Sequence, residues 1–140
     1  MKKIGIINGP IAAVIAHLEH TDTLTIADAG LPTPDTTQRI DLALKPGTPG
    51  FLETLEVVLQ EMYVEKALVS ADILRVSPHI YQGIRKLLGD TPIETLPHVE
   101  FKQMSAQSKA IIRTGEYTPY ALVILVAGAW GFNTLGEHVT

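Results

Sequence analysis

Residues 20–34, HTDTLTIADAGLPTP, decide how the rest of the chain is interpreted. The run Thr23 to Ala27 is apolar and rich in β-branched side chains, which predicts a buried strand. Glycine and prolines between Gly30 and Pro34 then predict a turn or loop. His20 precedes this strand and Asp28 follows it. We expect the segment to deliver an imidazole and a carboxylate to one edge of a sheet, where they suit proton transfer on a polar small molecule without a metal or cofactor.

Outside this stretch, helical and extended patterns alternate along the chain. Helices are predicted over 10–19, 49–62, 77–89 and 98–108, and strands over 23–27, 40–44, 66–71, 93–96, 109–113 and 120–127. The last strand, YALVILVA, is the most hydrophobic and is expected to lie centrally. This alternation favours a three-layer α/β/α fold with a largely parallel, mixed sheet. No repeat or linker divides the chain, so residues 1–140 are expected to form a single domain.

Composition limits the possible functions. The net charge is −4 and the basic residues are not clustered, which disfavours nucleic-acid binding. The absence of cysteine excludes disulfides, thiolate catalysis and Cys-ligated zinc, and it fits a reducing compartment. Asn8-Gly9-Pro10 interrupts the apolar start too early for a signal peptide, and the apolar run 121–129 is too short to span a membrane. We therefore expect a soluble, cytoplasmic protein.

Three candidate site residues each have a structural interpretation beside the functional one. His20, at the exit of the first predicted helix, suits acid/base chemistry, but a histidine there also caps helices. Asp28 follows a strand, where α/β proteins bind ligands, and it is equally a residue that hydrogen-bonds its own turn. His98 follows Pro97 and either caps the next helix or reaches a ligand. No third ligand accompanies His17 and His20, so no metal site is expected.

The polar segment RTGEYTPY, at 113–120, leads directly into the most apolar strand. Loops held on a rigid sheet often carry function. The alternative is a structural loop held by an ion pair between Arg113 and Glu116.

Several segments together resemble one protein family. They are MKKIGIIN at 1–8, HTDTLTIADAGLPTP at 20–34, RIDLALKPGTPGF at 39–51, EMYVEKA at 61–67, HVEFKQ at 98–103 and IIRTGEYTPYA at 112–121. In this order and combination they are similar to the D-ribose pyranase family, which includes the related fucose mutarotases.

The resemblance implies an isomerase of ribose catabolism that needs no cofactor and no metal. It would interconvert the pyranose and furanose forms of D-ribose, or the anomers of a related sugar. The resemblance implies His20 as the general acid and Asp28, His98 and Tyr120 as sugar contacts. It also implies a homo-oligomer, commonly a decamer of two stacked pentamers, with sites near subunit boundaries. The alternatives are a non-catalytic sugar-binding or regulatory relative, and a structural protein that uses only the ring assembly.

The chain departs from the family pattern in two places. The family usually has asparagine where this chain has Leu122, and a leucine side chain can neither donate nor accept a hydrogen bond. Loss of a buried polar contact costs roughly 1–3 kcal/mol, or about tenfold to a hundredfold in binding. We therefore expect a different preferred sugar or a reduced activity. The sequence from Gly128 onward (GAWGFNT and a longer tail) also departs, and it would alter the assembly if the usual terminus packs between subunits.

Overall fold

The computed structural model describes residues 1–129, and a six-stranded sheet forms their centre. The strands are β1 (Thr23–Ala27), β2 (Arg39–Asp41), β3 (Val64–Ser70), β4 (Ile93–Leu96), β5 (Ile111–Arg113) and β6 (Val123–Ala127). Their order across the sheet is β2-β5-β1-β6-β3-β4. Strand β6 is antiparallel to β1 and β3, and every other neighbouring pair is parallel. The expected mixed, largely parallel sheet is confirmed, with β6 inside it.

Helices connect most of these strands. They are α1 (Gly9–His17), α2 (Phe51–Leu59), α3 (Ile73–Val76), α4 (Pro78–Leu88) and α5 (His98–Ser105). The sequence predicts all of them except the short α3. Helix α1 begins one residue before the predicted start. Asn8 Oδ1 caps it by accepting a hydrogen bond from Ile11 N–H at 3.0 Å, and Pro10 occupies the first turn.

Side chains of the central strands alternate between two apolar cores, one on each face of the sheet. On β6, Val123 and Leu125 belong to the first core, whereas Ile124 belongs to the second. The first core also contains the buried faces of α1, α2 and α4, and the second contains Phe101 of α5. Helices therefore cover both faces, and the predicted α/β/α layering is confirmed.

Three strands are shorter than predicted. Strand β5 begins at Ile111 rather than at Lys109. The expected strand over 40–44 ends at Asp41, and Leu44 is 79% exposed beside a tight turn in which its N–H bonds the Thr48 carbonyl. Strand β6 begins at Val123 rather than at Tyr120, because Tyr120 has a left-handed φ of 61° that cannot continue a strand.

Two remaining expectations concern the C-terminus and membranes. Trp130, His138 and the polar tail 133–140 lie outside the described residues, as does most of the departure that begins at Gly128. No helix within residues 1–129 has the length and apolar character needed to cross a membrane.

Candidate functional site

Four of the expected site residues meet at one edge of the sheet. Asp28 follows β1, His98 opens α5 after β4, and Tyr120 and Leu122 precede the antiparallel β6. All four line one hollow of about 320 Å³. The rest of its lining is Gly30, Leu31, Pro32, Lys102 and Pro119. The hollow lies beyond the carboxyl ends of the parallel strands, where open α/β sheets bind ligands.

Asp28 shapes a turn, as its structural interpretation predicts, and it also lines the hollow. Its Oδ1 accepts hydrogen bonds from the N–H groups of Gly30 and Leu31, both at 3.0 Å. Burial raises the pKa of Asp28, and the backbone N–H groups around it and the charge of His98 only partly oppose this rise. A carboxylate that is costly to ionise gains from a ligand hydroxyl that donates to it.

The segment that carries Asp28 is fixed to the neighbouring strands. Thr114 is fully buried, and its hydroxyl donates to the Ala27 carbonyl at 2.7 Å. Arg113 Nε donates to the Ala29 carbonyl at 3.0 Å, while Nη1 contacts both carboxylate oxygens of Asp41 at 3.1 Å. These bonds hold Asp28 on a rigid frame.

The alternative interpretation of segment 113–120, an ion pair between Arg113 and Glu116, is wrong, because Arg113 pairs with Asp41. Helix α2 begins without a side-chain cap of its own, and Glu116 Oε1 accepts a hydrogen bond from its first N–H, that of Phe51, at 3.0 Å. Burial tends to raise the pKa of Glu116, but the bonds from Phe51 and Thr118 and the charge of His79 together lower it below its ordinary value. The free N–H groups of a helix start attract a carboxylate more strongly than an arginine already paired elsewhere.

A hydrogen bond to a buried residue and two ring contacts fix the orientation of the His98 side chain. Its Nδ1 lies 3.1 Å from the hydroxyl of Ser70, a fully buried residue at the end of β3. The ring meets Tyr120 edge-on, with centroids 5.0 Å apart, and lies parallel to Phe101 at 6.4 Å. Because Ser70 engages Nδ1, the other ring nitrogen, Nε2, is the one left for a ligand.

Tyr120 occupies a strained position. Its left-handed φ of 61° costs about 1–3 kcal/mol and persists only where the surroundings hold it. The Ser77 hydroxyl contributes by donating to the Pro119 carbonyl at 2.6 Å. The same hydroxyl therefore does not cap the start of α4. This backbone conformation places the tyrosine ring against His98.

Leu122 forms an apolar wall of the hollow. The residue is 2% exposed and belongs to the second core, together with Phe101 and Ile124. It therefore brings no hydrogen-bonding group to a ligand at this point.

The polar groups of the hollow suit a small hydroxylated molecule. Among the residues that the structure describes, no group of three or more His, Cys, Asp or Glu side chains could hold a metal ion. The hollow offers a carboxyl group, an imidazole, a phenol and an ammonium group. Together they can both donate to and accept from hydroxyl groups.

His20 lies elsewhere, so the expectation that it shares a sheet edge with Asp28 is wrong within one chain. His20 Nε2 lies 2.9 Å from Glu65 Oε2, at the start of β3, whereas His98 contacts Ser70 at the end of the same strand. Five residues of strand separate these two contacts by about 17 Å. His20 does not line the hollow. It does not cap α1 either, because the C-cap is Leu18.

Sequence reasoning missed three residues near the candidate groups. Lys102 lies four residues after His98 in the same helix, and that spacing places both on one face, so the sequence contains this signal. Glu65 and Ser70 contact the two histidines only because β3 passes near both of them. No local pattern marks them.

Comparison with known proteins places this geometry in a family. Residues 1–130 match the model of the RbsD / FucU transport protein family. A D-ribose pyranase from Laribacter hongkongensis (strain HLHK9) is 53% identical over 128 residues, which are 91% of this chain and 98% of that protein. A D-ribose pyranase from Bacillus cytotoxicus is 51% identical, with the same coverage of each chain.

Solved structures agree with the sequence matches. The structure of Bacillus subtilis RbsD complexed with D-ribose has a TM-score of 0.89 at 48% identity and covers 92% of this chain and 98% of that one. The fucose mutarotase from Streptococcus pneumoniae, in complex with L-fucose, has a TM-score of 0.72 at 23% identity. It covers 88% of this chain and 94% of that one, and it supports the fold alone. The chain belongs to the RbsD / FucU transport protein family.

Proposed function

We propose that this protein is an isomerase that interconverts the pyranose and furanose forms of D-ribose or a closely related aldose. The observation that carries the proposal is the hollow in which Asp28, His98 and Tyr120 meet. The chain around that hollow is 53% identical to a D-ribose pyranase and 48% identical to a protein solved with D-ribose bound.

The reaction breaks the bond between the anomeric carbon and the ring oxygen and later forms a new C–O bond, and the protein has to supply only proton transfers. Opening the six-membered ring gives a proton to the ring oxygen, removes one from the anomeric hydroxyl and leaves an aldehyde. Closing the five-membered ring reverses these transfers with a different hydroxyl as the nucleophile. Positioned acid/base groups contribute about 10²–10⁴-fold to such a step. One imidazole can serve in both directions near neutral pH.

The residues of the hollow would bind and orient the sugar. Asp28 accepts a hydrogen bond from one hydroxyl, and His98 Nε2 contacts another. Tyr120 adds a phenolic hydrogen bond and an aromatic wall, Lys102 adds a donor, and Leu122 closes the apolar side. All five line the same hollow, which supports these roles.

We propose His20 as the acid/base group, supplied to the hollow by a second copy of the chain. In one chain a length of strand separates His20 from Asp28, so association is the direct way to bring them together. The family resemblance, with its sites near subunit boundaries, leads us to propose a homodecamer of two pentamers. We also propose a cytoplasmic location, one domain over residues 1–140, and no nucleic-acid or membrane partner.

Exchange NMR of ribose tests the catalytic role. We expect His20→Ala to lower the rate of ring interconversion by about 10²–10⁴-fold, the usual contribution of such a group. His17→Ala, which changes an exposed histidine on α1, serves as the control and should keep the wild-type rate. Full activity of His20→Ala would contradict the assignment.

Leu122 favours one alternative function, a sugar-binding relative without catalysis. Its apolar side chain lines the hollow where a polar contact would otherwise help to select the substrate. Titration calorimetry beside exchange NMR separates the two functions. Sugar binding without any acceleration of ring exchange would decide for the binding protein.

A further inference from the structure

We propose that Glu65 is a positioning residue for His20, and that it holds the hydrogen of the neutral imidazole on Nε2. Glu65 acts through the histidine and does not line the hollow. This inference rests on the proposed function, because only catalysis gives the orientation of His20 a consequence.

A short contact joins the two side chains. His20 Nε2 and Glu65 Oε2 are 2.9 Å apart, and the side chains are 50% and 35% exposed. Exposed pairs of this kind contribute little to folding stability, since water screens them and ordering the side chains costs entropy.

The backbone is irregular on both sides of this contact. The pairing of β3 with β6 shifts register between Val64 and Lys66, so Glu65 lies at a β-bulge. Bulges redirect side chains and are common near active sites. Thr21, directly after His20, has a φ of 73°, which is a rare conformation for a β-branched residue. Strain of this kind concentrates at functional sites.

The end of β6 holds these two irregular segments next to each other. Thr21 N–H donates to the Ala127 carbonyl at 2.9 Å, which fixes the segment that carries His20. Gly128 packs tightly on Glu65, since a Cβ at position 128 would lie 3.3 Å from the Glu65 backbone nitrogen. The contact between His20 and Glu65 is therefore built into the edge of the sheet.

The chemistry of the pair determines which ring nitrogen of His20 carries the hydrogen. An ionised carboxylate can only accept hydrogen bonds, so the nitrogen that faces Glu65 carries the hydrogen. In the neutral ring the lone pair then lies on Nδ1, which becomes the base, and Nδ1–H is the acid in the protonated ring. A carboxylate fixes the tautomer of the histidine in serine hydrolases by the same principle.

Two measurements on the intact protein test the inference. Long-range ¹H–¹⁵N correlation NMR reports which ring nitrogen of neutral His20 carries the hydrogen, and His20→Ala identifies the signals among the five histidines. We expect the Nε2–H form in the wild type and a mixture of tautomers in Glu65→Ala. We also expect kcat of Glu65→Ala to fall about 10- to 100-fold, as for other groups that orient a functional histidine, with little change in KM.

Matched variants separate positioning from folding. Glu65→Gln keeps the size of the side chain and an acceptor oxygen, so its kcat should lie between those of the wild type and Glu65→Ala. If Glu65→Ala does not fold, the measurements are made on Glu65→Gln instead. Glu94→Gln makes the same charge change at an exposed pair with Lys66 and should behave as the wild type.

Either of two results would overturn the inference. One is an Nδ1–H tautomer of His20 in the wild-type protein, and the other is a wild-type kcat in the folded Glu65 variants. Failure of the proposed function looks different, because it would appear as full activity of His20→Ala or as no ring exchange at all. The tautomer measurement would still decide whether Glu65 holds the ring.

Discussion

Replacing Asp28 by asparagine separates the two tasks of this residue. Asparagine keeps an Oδ1 that can accept the hydrogen bonds from Gly30 and Leu31, so the turn should survive. What is lost is the negative charge presented to the sugar. A hydrogen bond to a charged group contributes about 1.5–3 kcal/mol, roughly twice a neutral one. The loss of about 0.8–1.5 kcal/mol predicts binding that is about 4- to 13-fold weaker.

The same substitution should make the folded protein more stable at neutral pH. Because burial raises the pKa of Asp28 above its ordinary 3.8, the folded state holds this proton more tightly than the unfolded state. Stability therefore falls as pH rises through the interval between 3.8 and the raised value, and the loss remains at higher pH. Asparagine removes this loss of stability. The variant should therefore be more stable than the wild type at pH 7, and this difference should disappear below pH 3.8.

Calorimetry at several pH values, at one protein concentration, measures the stability, and sugar titration measures the affinity. Asp28→Ala is the comparison, since it removes the turn bonds as well and should be less stable than Asp28→Asn at every pH. Asp35→Asn, at an exposed aspartate, controls for net charge. An Asp28→Asn protein that is less stable than the wild type at pH 7, with wild-type affinity, would refute the reasoning.

Two further predictions follow from the loop and from the apolar wall. Glu116→Gln should lower the melting temperature at pH 7 and change it little under acidic conditions. The lowered pKa of Glu116 stabilises the fold above the unfolded pKa near 4.5, and this stability is lost as pH falls through the folded pKa. A loss of melting temperature that does not depend on pH would contradict this. Leu122→Asn should bind ribose about tenfold to a hundredfold more tightly if a polar group is missing there, and isothermal titration with a panel of aldoses would show no gain for ribose if that account is wrong.

Elements with a strong local signal can be predicted from the sequence. Strands β1 and β4 have the predicted limits. For β1 the reason is an apolar run with β-branched residues between turn residues, which encodes a strand locally. The shortening of β6 could not be foreseen, since the left-handed conformation of Tyr120 depends on surrounding contacts such as the bond from Ser77 to Pro119. Local sequence patterns do not encode such contacts.

The candidate site shows the same division. Asp28 and His98 both follow parallel strands, so the strand pattern is enough to bring them to the carboxyl edge of the sheet. Tyr120 joins them only because β6 runs antiparallel to its neighbours. His20 is close to Asp28 in sequence, but β1 lies between them, so proximity along the chain was misleading. Its partner Glu65 comes from a strand two places away in the sheet.

Complementation between subunits that are impaired in different parts of the site tests most directly whether His20 of one copy serves the hollow of another. His20→Ala and His98→Ala would each be made alone, then unfolded together in equal amounts and refolded as a mixed assembly. If each site takes His20 from one chain and the hollow from another, about one site in four regains both intact parts, so about a quarter of the wild-type activity should return. Mixed assemblies with no more activity than the separate variants would contradict the account.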